Sequence, residues 1–139
     1  MLLLDTHAWI WVVEGDRDRI GSRSRRLIEG ARVRDVVHIS PVTMFEIVAL
    51  HTAGRLRLAR SVERWVEELL DQPGVRLAEF TVDVATDAGQ IPRRALPDPL
   101  DRLLVATARQ LGATFVTADR AILEYAAKTR AVRTHDASK

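Results

Sequence analysis

Residues 98–119 read DPLDRLLVATARQLGATFVTAD, and this stretch decides the fold class. Asp98 followed by Pro99 is a good helix start, because an aspartate side chain caps free amide groups and proline fits the first helical position. Apolar residues then recur at helical spacing until a glycine ends the pattern. The run TFVT at 114–117 predicts a buried strand, so the stretch runs from helix to strand to a new carboxylate, Asp119.

The rest of the chain repeats this alternation of short apolar runs and longer helical segments. Further strands are predicted at 2–4, 36–39, 75–77 and, at the edge of the sheet, 131–133. Further helices are predicted at 8–13, 22–30, 41–54, 62–70, 82–88 and 118–127. The alternation favours one α/β domain, residues 1–139, built around a mostly parallel sheet.

The composition excludes several classes of protein. With 47% hydrophobic and 29% charged residues, the chain is typical of a folded globular protein. The absence of cysteine excludes disulfides, zinc–thiolate sites and thiol catalysis, and it favours a cytoplasmic location. The opening leucine run is far too short for a bilayer, which takes about 20 apolar residues, so no membrane association is expected.

The charge pattern is ambiguous. A net charge of +2 does not by itself indicate a nucleic-acid binder. Of the 21 basic residues only Lys128 and Lys139 are lysines. Arginine suits phosphate recognition, but the bias, together with the absence of asparagine, is better explained by a GC-rich genome.

Carboxylates follow two of the predicted strands. Asp5 comes directly after LLL at 2–4, and Asp119 follows TFVT. Each could simply cap the next helix. Sites in open parallel sheets nevertheless form just past the carboxyl ends of strands, so a functional role stays open for both.

A third carboxylate, Glu46, lies in a helix that is apolar on nearly every side. Such a pattern is typical of a buried helix, in which an unpaired carboxylate is costly. Glu46 could therefore pair with an arginine, lie on a thin exposed stripe with Thr43, or serve a site.

Asp101 is the fourth carboxylate. Asp98 is explained as a helix cap, whereas Asp101 lies in the first helical turn on the flank of the apolar face. If Asp5, Glu46, Asp101 and Asp119 converge, their mutual repulsion needs a cation, and Mg²⁺ or Mn²⁺ with oxygen ligands fits. Such a site suits phosphodiester hydrolysis.

Three stretches carry a family resemblance: LLLDTHAWIW at 2–11, SPVTMFEIVALHTAGRLRL at 40–58 and IPRRALPDPLDRLLVATARQLGATFVTADRAIL at 91–123. In this order they resemble PIN-domain ribonucleases and, among these, the VapC toxins of bacterial toxin–antitoxin pairs. The resemblance implies a three-layer α/β/α domain and an Mg²⁺- or Mn²⁺-dependent endoribonuclease. Its catalytic and metal-binding acids fall on Asp5, Glu46, Asp101 and Asp119, with Thr117, Thr6 and Asp98 in support.

The resemblance also implies an RNA substrate, a cognate antitoxin that covers the active site, and a homodimer. The apolar segment 42–50 and the tryptophans Trp9, Trp11 and Trp65 supply more apolar surface than one small core needs, although a buried core position is the better explanation for most of them. The chain departs from the family at Phe45, where many relatives have tryptophan. It also carries Ala-Leu-Pro at 95–97, where relatives often carry a histidine.

Some assignments stay open on the sequence. His7 could orient substrate, although a local packing role is the simpler explanation. Arg102 and Arg120 could hold flanking phosphates, or they could lie on ordinary solvated helix faces. Alternatives to the nuclease are a catalytically silent PIN-like interaction module and an Mg²⁺-dependent phosphoacceptor domain. The second normally needs an acidic pair after the first strand and a lysine near the end of the last. Here the first strand is followed by Asp5, Thr6 and His7, and neither lysine is suitably placed.

Overall fold

The computed structural model describes residues 1–139 and contains five strands and seven helices. In chain order they are β1 (Leu2–Leu4), α1 (Thr6–Glu14), α2 (Ser22–Val33), β2 (Val37–Ile39), α3 (Pro41–Thr52), α4 (Val62–Leu70), β3 (Val75–Leu77), α5 (Val82–Gln90), α6 (Pro99–Leu111), β4 (Thr114–Thr117), α7 (Arg120–Thr129) and β5 (Arg133–Asp136). No helix combines the length and the apolar character needed to cross a bilayer.

All five strands run parallel in one sheet of order β3-β2-β1-β4-β5. Alternate side chains of β1 point to opposite faces, so Leu2 and Leu4 belong to one core and Leu3 to the other. The first core is completed mainly by α1, α2 and α4, and the second mainly by α6 and α7. The predicted α/β/α architecture is confirmed, and the sheet is wholly rather than mostly parallel.

The first strand occupies the centre of the sheet because its residues are apolar on both faces. Leu3 and Leu4 are fully buried, as expected for a strand covered by helices above and below. From β1 the chain builds outward to β2 and β3 on one side, and it later builds to β4 and β5 on the other. The strand order therefore reverses between β1 and β4, which is where open parallel sheets form their binding crevices.

The prediction for the last strand was wrong. It was expected at 131–133 but lies at Arg133–Asp136, where Thr114 pairs with Arg133 and Thr117 with Asp136. The sequence RTHD carries no apolar signal because this edge strand has no fully buried side chain. Backbone pairing with β4 determines its position.

The first helix begins two residues earlier than expected, at Thr6, and α2 continues to Val33. The expectation that α3 is buried on nearly every side was also wrong. Only Val42, Thr43 and Ile47 are buried in this helix, and the side chain of Phe45 is 63% exposed.

Candidate active site

The structure brings all four predicted carboxylates to one cleft of about 340 Å³ at the reversal point of the sheet. Asp5 and Asp119 enter from the ends of the neighbouring strands β1 and β4, and Asp101 enters from the first turn of α6. Glu46 comes from α3, and Asp98, which was predicted to act as a helix cap, also lines the cleft. The cleft is completed by His7, Trp11 and Ala118.

Asp5 is held at both carboxylate oxygens. Its Oδ1 accepts a hydrogen bond of 2.8 Å from the amide of Thr6, and its Oδ2 accepts one of 2.6 Å from the hydroxyl of Thr117. The side chain therefore caps α1 and lines the cleft, so the two roles considered for Asp5 coexist. Burial raises the pKa of Asp5, and its hydrogen bonds with Thr117 and Thr6 oppose that rise.

Thr117 links the two carboxylates that follow strands. Its hydroxyl donates to Asp5 and accepts a hydrogen bond of 3.0 Å from the amide of Asp119. Asp119 in turn caps α7 through a bond of 3.2 Å from the amide of Ile122 to its Oδ1. The buried hydroxyl of Thr117 thus ties Asp5, at the end of β1, to the backbone of Asp119, just after β4.

Glu46 is placed by a second threonine. The hydroxyl of Thr6 donates to its Oε1 and lies 3.3 Å from the hydroxyl of Thr43. Glu46 forms no ion pair with an arginine, and Thr43 is fully buried rather than on an exposed stripe. Sequence reasoning missed this supporting role of Thr43; its position one turn before Glu46 was the available signal.

Asp101 shows most clearly the electrostatic cost of the cluster. Burial and the neighbouring carboxylates Asp98, Asp119, Asp5 and Glu46 raise the pKa of Asp101 to about 7. Asp98 itself is exposed and accepts a bond of 2.9 Å from the amide of Leu100, which is the cap expected for it. No ion pair joins an arginine or lysine to any of these five acids.

The chemistry of this donor set fits a hard divalent cation. Every candidate ligand is a carboxylate oxygen, and positive charge relieves the repulsion that raises the pKa of Asp101. No three of the side chains stand close enough to hold one ion directly. This arrangement agrees with Mg²⁺, which commonly keeps several waters and takes one or two carboxylates from the protein.

The arginines near the acidic motifs do not line the cleft. Arg120 lies 3.5 Å from the carboxylate of Asp136 and its side chain is 73% exposed. Arg102 buries its Nε without a hydrogen-bond partner.

The comparisons with known proteins agree with this fold and cleft. The PIN domain profile matches residues 2–128, so the chain belongs to the PIN-domain family. It is 33% identical over 119 residues to Ribonuclease VapC22 of Mycobacterium tuberculosis, an alignment that covers 86% of this chain and 87% of that protein. Within the PIN-domain family the chain therefore groups with the VapC proteins.

Two solved structures resemble this chain in fold. VapBC2 from Rickettsia felis, bound to a DNA fragment from its promoter, matches with a TM-score of 0.68 at 13% identity, covering 96% of each chain. DNA-bound VapBC from Salmonella typhimurium matches with a TM-score of 0.64 at 20% identity, covering 97% of this chain and 96% of that one. At these identities the likeness concerns the fold.

Proposed function

We propose that this protein is an Mg²⁺- or Mn²⁺-dependent endoribonuclease and the toxin of a type II toxin–antitoxin pair. The observation that carries the proposal is the meeting of Asp5, Glu46, Asp101 and Asp119 in one cleft at the reversal point of the sheet. The relationship to a protein named a ribonuclease supports the same activity. We further propose that residues 1–139 act as one domain and that the protein works in the cytoplasm.

In this proposal one or two of the four carboxylates hold the divalent ion directly and the others hold it through its bound waters, while Asp98 adds negative charge at the rim. When bound, the ion activates a water molecule and neutralises charge on the phosphoryl group. Thr117 fixes Asp5 and the start of α7, and Thr6 fixes Glu46, so two threonines keep three of the acids in place. Without such supporting hydrogen bonds, ligand carboxylates lose orientation and metal affinity falls.

Cleavage of a structured RNA by the purified protein tests the activity. We expect cleavage with added Mg²⁺ or Mn²⁺, loss of cleavage with EDTA, and a loss of at least about 100-fold in Asp5→Asn, which removes a ligand charge. Asp83→Asn is the matched control, because Asp83 lies exposed in the first turn of α5, outside the cleft. Undiminished metal-dependent cleavage by Asp5→Asn, or cleavage that survives EDTA, would contradict the proposed mechanism.

The partners are also proposals. The VapBC complexes among the structural matches support an antitoxin for this chain. We expect the product of a neighbouring reading frame to co-purify with the protein and to inhibit its cleavage of RNA. Failure of any neighbouring product to bind would argue for a nuclease that acts outside a toxin–antitoxin pair.

An exposed apolar surface on α3 and α4 supports the proposed homodimer. This surface is a shallow depression of about 620 Å³, lined mainly by Met44, Phe45, Val48, Ala49 and Val66. The lining of this depression contains no charged residue. Exposed apolar patches of this kind mark protein contacts.

A charge placed in the patch tests the homodimer. Phe45→Glu should convert a dimer to a monomer in sedimentation velocity, because it puts a carboxylate into an apolar contact. Val33→Glu on α2 is the control, since Val33 is 85% exposed and lies outside the patch. A wild-type protein that sediments as a monomer would contradict the proposed homodimer.

A buried core position was the preferred explanation for most of the tryptophans, and it is correct for Trp9 and Trp65, which are 0% and 1% exposed and belong to the first core. Trp11 is only partly buried and is the one tryptophan that solvent reaches.

A further inference from the structure

Trp11 separates the acidic cleft from a second depression. The second depression, here called the arginine groove, has a volume of about 420 Å³ and lies between the end of α1, the connection 15–21 and α2. Trp11 lines both the cleft and the groove. The two depressions are therefore neighbours across a single indole side chain.

One stripe of α1 runs from the cleft into the arginine groove. His7 lines the cleft, Trp11 lines both, and Gly15 at the end of the helix lines the groove. Residues four apart lie on the same helix face, and eight residues of helix rise about 12 Å. That length matches three to four stacked nucleotides at about 3.4 Å each. The rings of His7 and Trp11 lie 6.3 Å apart along this stripe.

The arginine groove is positive, whereas the cleft is negative. Arg17, Arg25 and Arg26 line it, and none of the three forms an ion pair with a carboxylate. Its one acid, Glu29, lies 3.3 Å from the guanidinium of Arg32. The groove therefore presents unneutralised guanidinium groups.

The arginine groove also has an ordered part. The guanidinium of Arg25 donates to the carbonyl oxygens of Arg17 and Ile20 at 3.2 Å and 3.0 Å, which fixes its direction beside the groove. Arg17 and Arg26 are exposed and free to follow a ligand. Apolar side chains of Val12, Ile20 and Ile28 complete the lining.

Partly exposed aromatic rings beside unpaired arginines are the features by which proteins bind single-stranded nucleic acid. Bases stack on the rings, and guanidinium groups contact the phosphates. We propose that the arginine groove holds the single-stranded RNA that flanks the cleaved bond, with one base stacked on Trp11 and phosphates on Arg17 and Arg26. This inference rests on the proposed ribonuclease function and names the path of its substrate.

Binding of a uridine oligonucleotide of about ten residues, labelled with fluorescein, tests the path. Asp5→Asn without metal serves as the parent, so that the RNA is bound and not cut. Trp11→Ala should weaken RNA binding by about 5-fold to 100-fold, and Trp11→Phe should restore most of the affinity. Bound unlabelled RNA of the same sequence should quench the tryptophan fluorescence of the parent protein. Because Trp9 and Trp65 are buried, this quenching reports on Trp11.

The double substitution Arg17→Ala with Arg26→Ala should lower the slope of log affinity against log salt by about 1.4, since each phosphate contact on a single strand contributes about 0.7. Arg23→Ala is the matched control, because Arg23 lies on the same helix α2 but does not line the groove. Unchanged RNA affinity and salt slope in the groove variants would overturn the inference. Groove variants that keep RNA affinity but lose an antitoxin would assign the surface to a protein and overturn it as well.

Kinetics separate failure of the inference from failure of the proposed function. In the metal-loaded enzyme, the double substitution Arg17→Ala with Arg26→Ala should raise KM for a long RNA with little change in kcat. It should raise KM less for a dinucleotide, because these two arginines line the groove and not the cleft and a dinucleotide is too short to reach them. An equal effect on both substrates would contradict the path and leave the nuclease standing. If wild type cleaves neither substrate with any divalent metal, the proposed function itself fails.

Discussion

Replacing Asp101 with asparagine should stabilise the metal-free protein at and above neutral pH. Burial and four neighbouring carboxylates raise the pKa of Asp101 from 3.8 to about 7. The native state therefore binds the proton of this group more tightly than the unfolded state does. By linkage, the metal-free protein loses stability as pH rises from about 4 to about 7, and the loss is complete above that range. An asparagine side chain at this position carries no charge and avoids this loss.

The pKa difference sets the upper limit of the gain. A pKa of about 7 against 3.8 corresponds to about 4 kcal/mol at 1.36 kcal/mol per pH unit. Solvent reaches part of the Asp101 side chain and screens the repulsion. The substitution also removes an acid from the first turn of α6, where it favours the helix by about 0.3–1 kcal/mol. We therefore expect a net gain of about 1–2 kcal/mol at about pH 8.

Thermal unfolding in EDTA measures the gain. For a chain of 139 residues, 1 kcal/mol shifts Tm by about 3 °C, so Asp101→Asn should melt about 3–6 °C higher than wild type at about pH 8 and show a much smaller advantage at about pH 4. Added Mg²⁺ should raise Tm more for wild type than for the variant, because the ion binds the native cluster. Asp83→Asn, which also removes a first-turn acid, should show no gain at either pH.

If Asp101→Asn is no more stable than wild type in EDTA at about pH 8, the carboxylates do not repel one another as the cleft geometry requires.

The same electrostatics predicts the pH dependence of metal binding. Protons compete for Asp101 below its pKa of about 7, so Mg²⁺ affinity measured by calorimetry should fall as pH falls through neutrality. An affinity that is constant from about pH 6 to about pH 8 would contradict this.

Two further predictions concern the supports of the site and of the fold. Thr117→Val removes the hydroxyl that is hydrogen-bonded to Asp5 and should lower the Mg²⁺ affinity measured by calorimetry by about 10-fold to 100-fold. Thr107→Val should leave this affinity unchanged, because the hydroxyl of Thr107 bonds only within its own helix. Gly21→Ala would place a methyl 1.8 Å from the backbone carbonyl oxygen of the C-terminal residue and should lower stability by about 1–3 kcal/mol in chemical denaturation. Gly30→Ala, with open space around it inside α2, should instead stabilise by about 0.5–1 kcal/mol. Equal effects of the two glycine substitutions on the free energy of unfolding would contradict the packing of Lys139 against the start of α2.

The positions of most helices and strands could be predicted from the sequence because they depend on local patterns. The strands Leu2–Leu4 and Thr114–Thr117 are short and largely buried runs, and α6 carries its own cap and its own glycine stop. The edge strand Arg133–Asp136 could not be located in this way. Its residues have no apolar pattern, and only pairing with β4 holds them extended.

The sequence by itself determined which carboxylates this protein has and that two of them follow strands. Only the tertiary structure decided that they meet, because β1 and β4 are neighbours in the sheet although more than 100 residues separate them in the chain. The direction of Glu46 depends in the same way on a bond to Thr6 across 40 residues. Trp11 borders both the cleft and the arginine groove only once α1 and α2 have packed. Local periodicity indicates which face of a helix or strand is apolar, but long-range packing sets which residues are buried and which share a site.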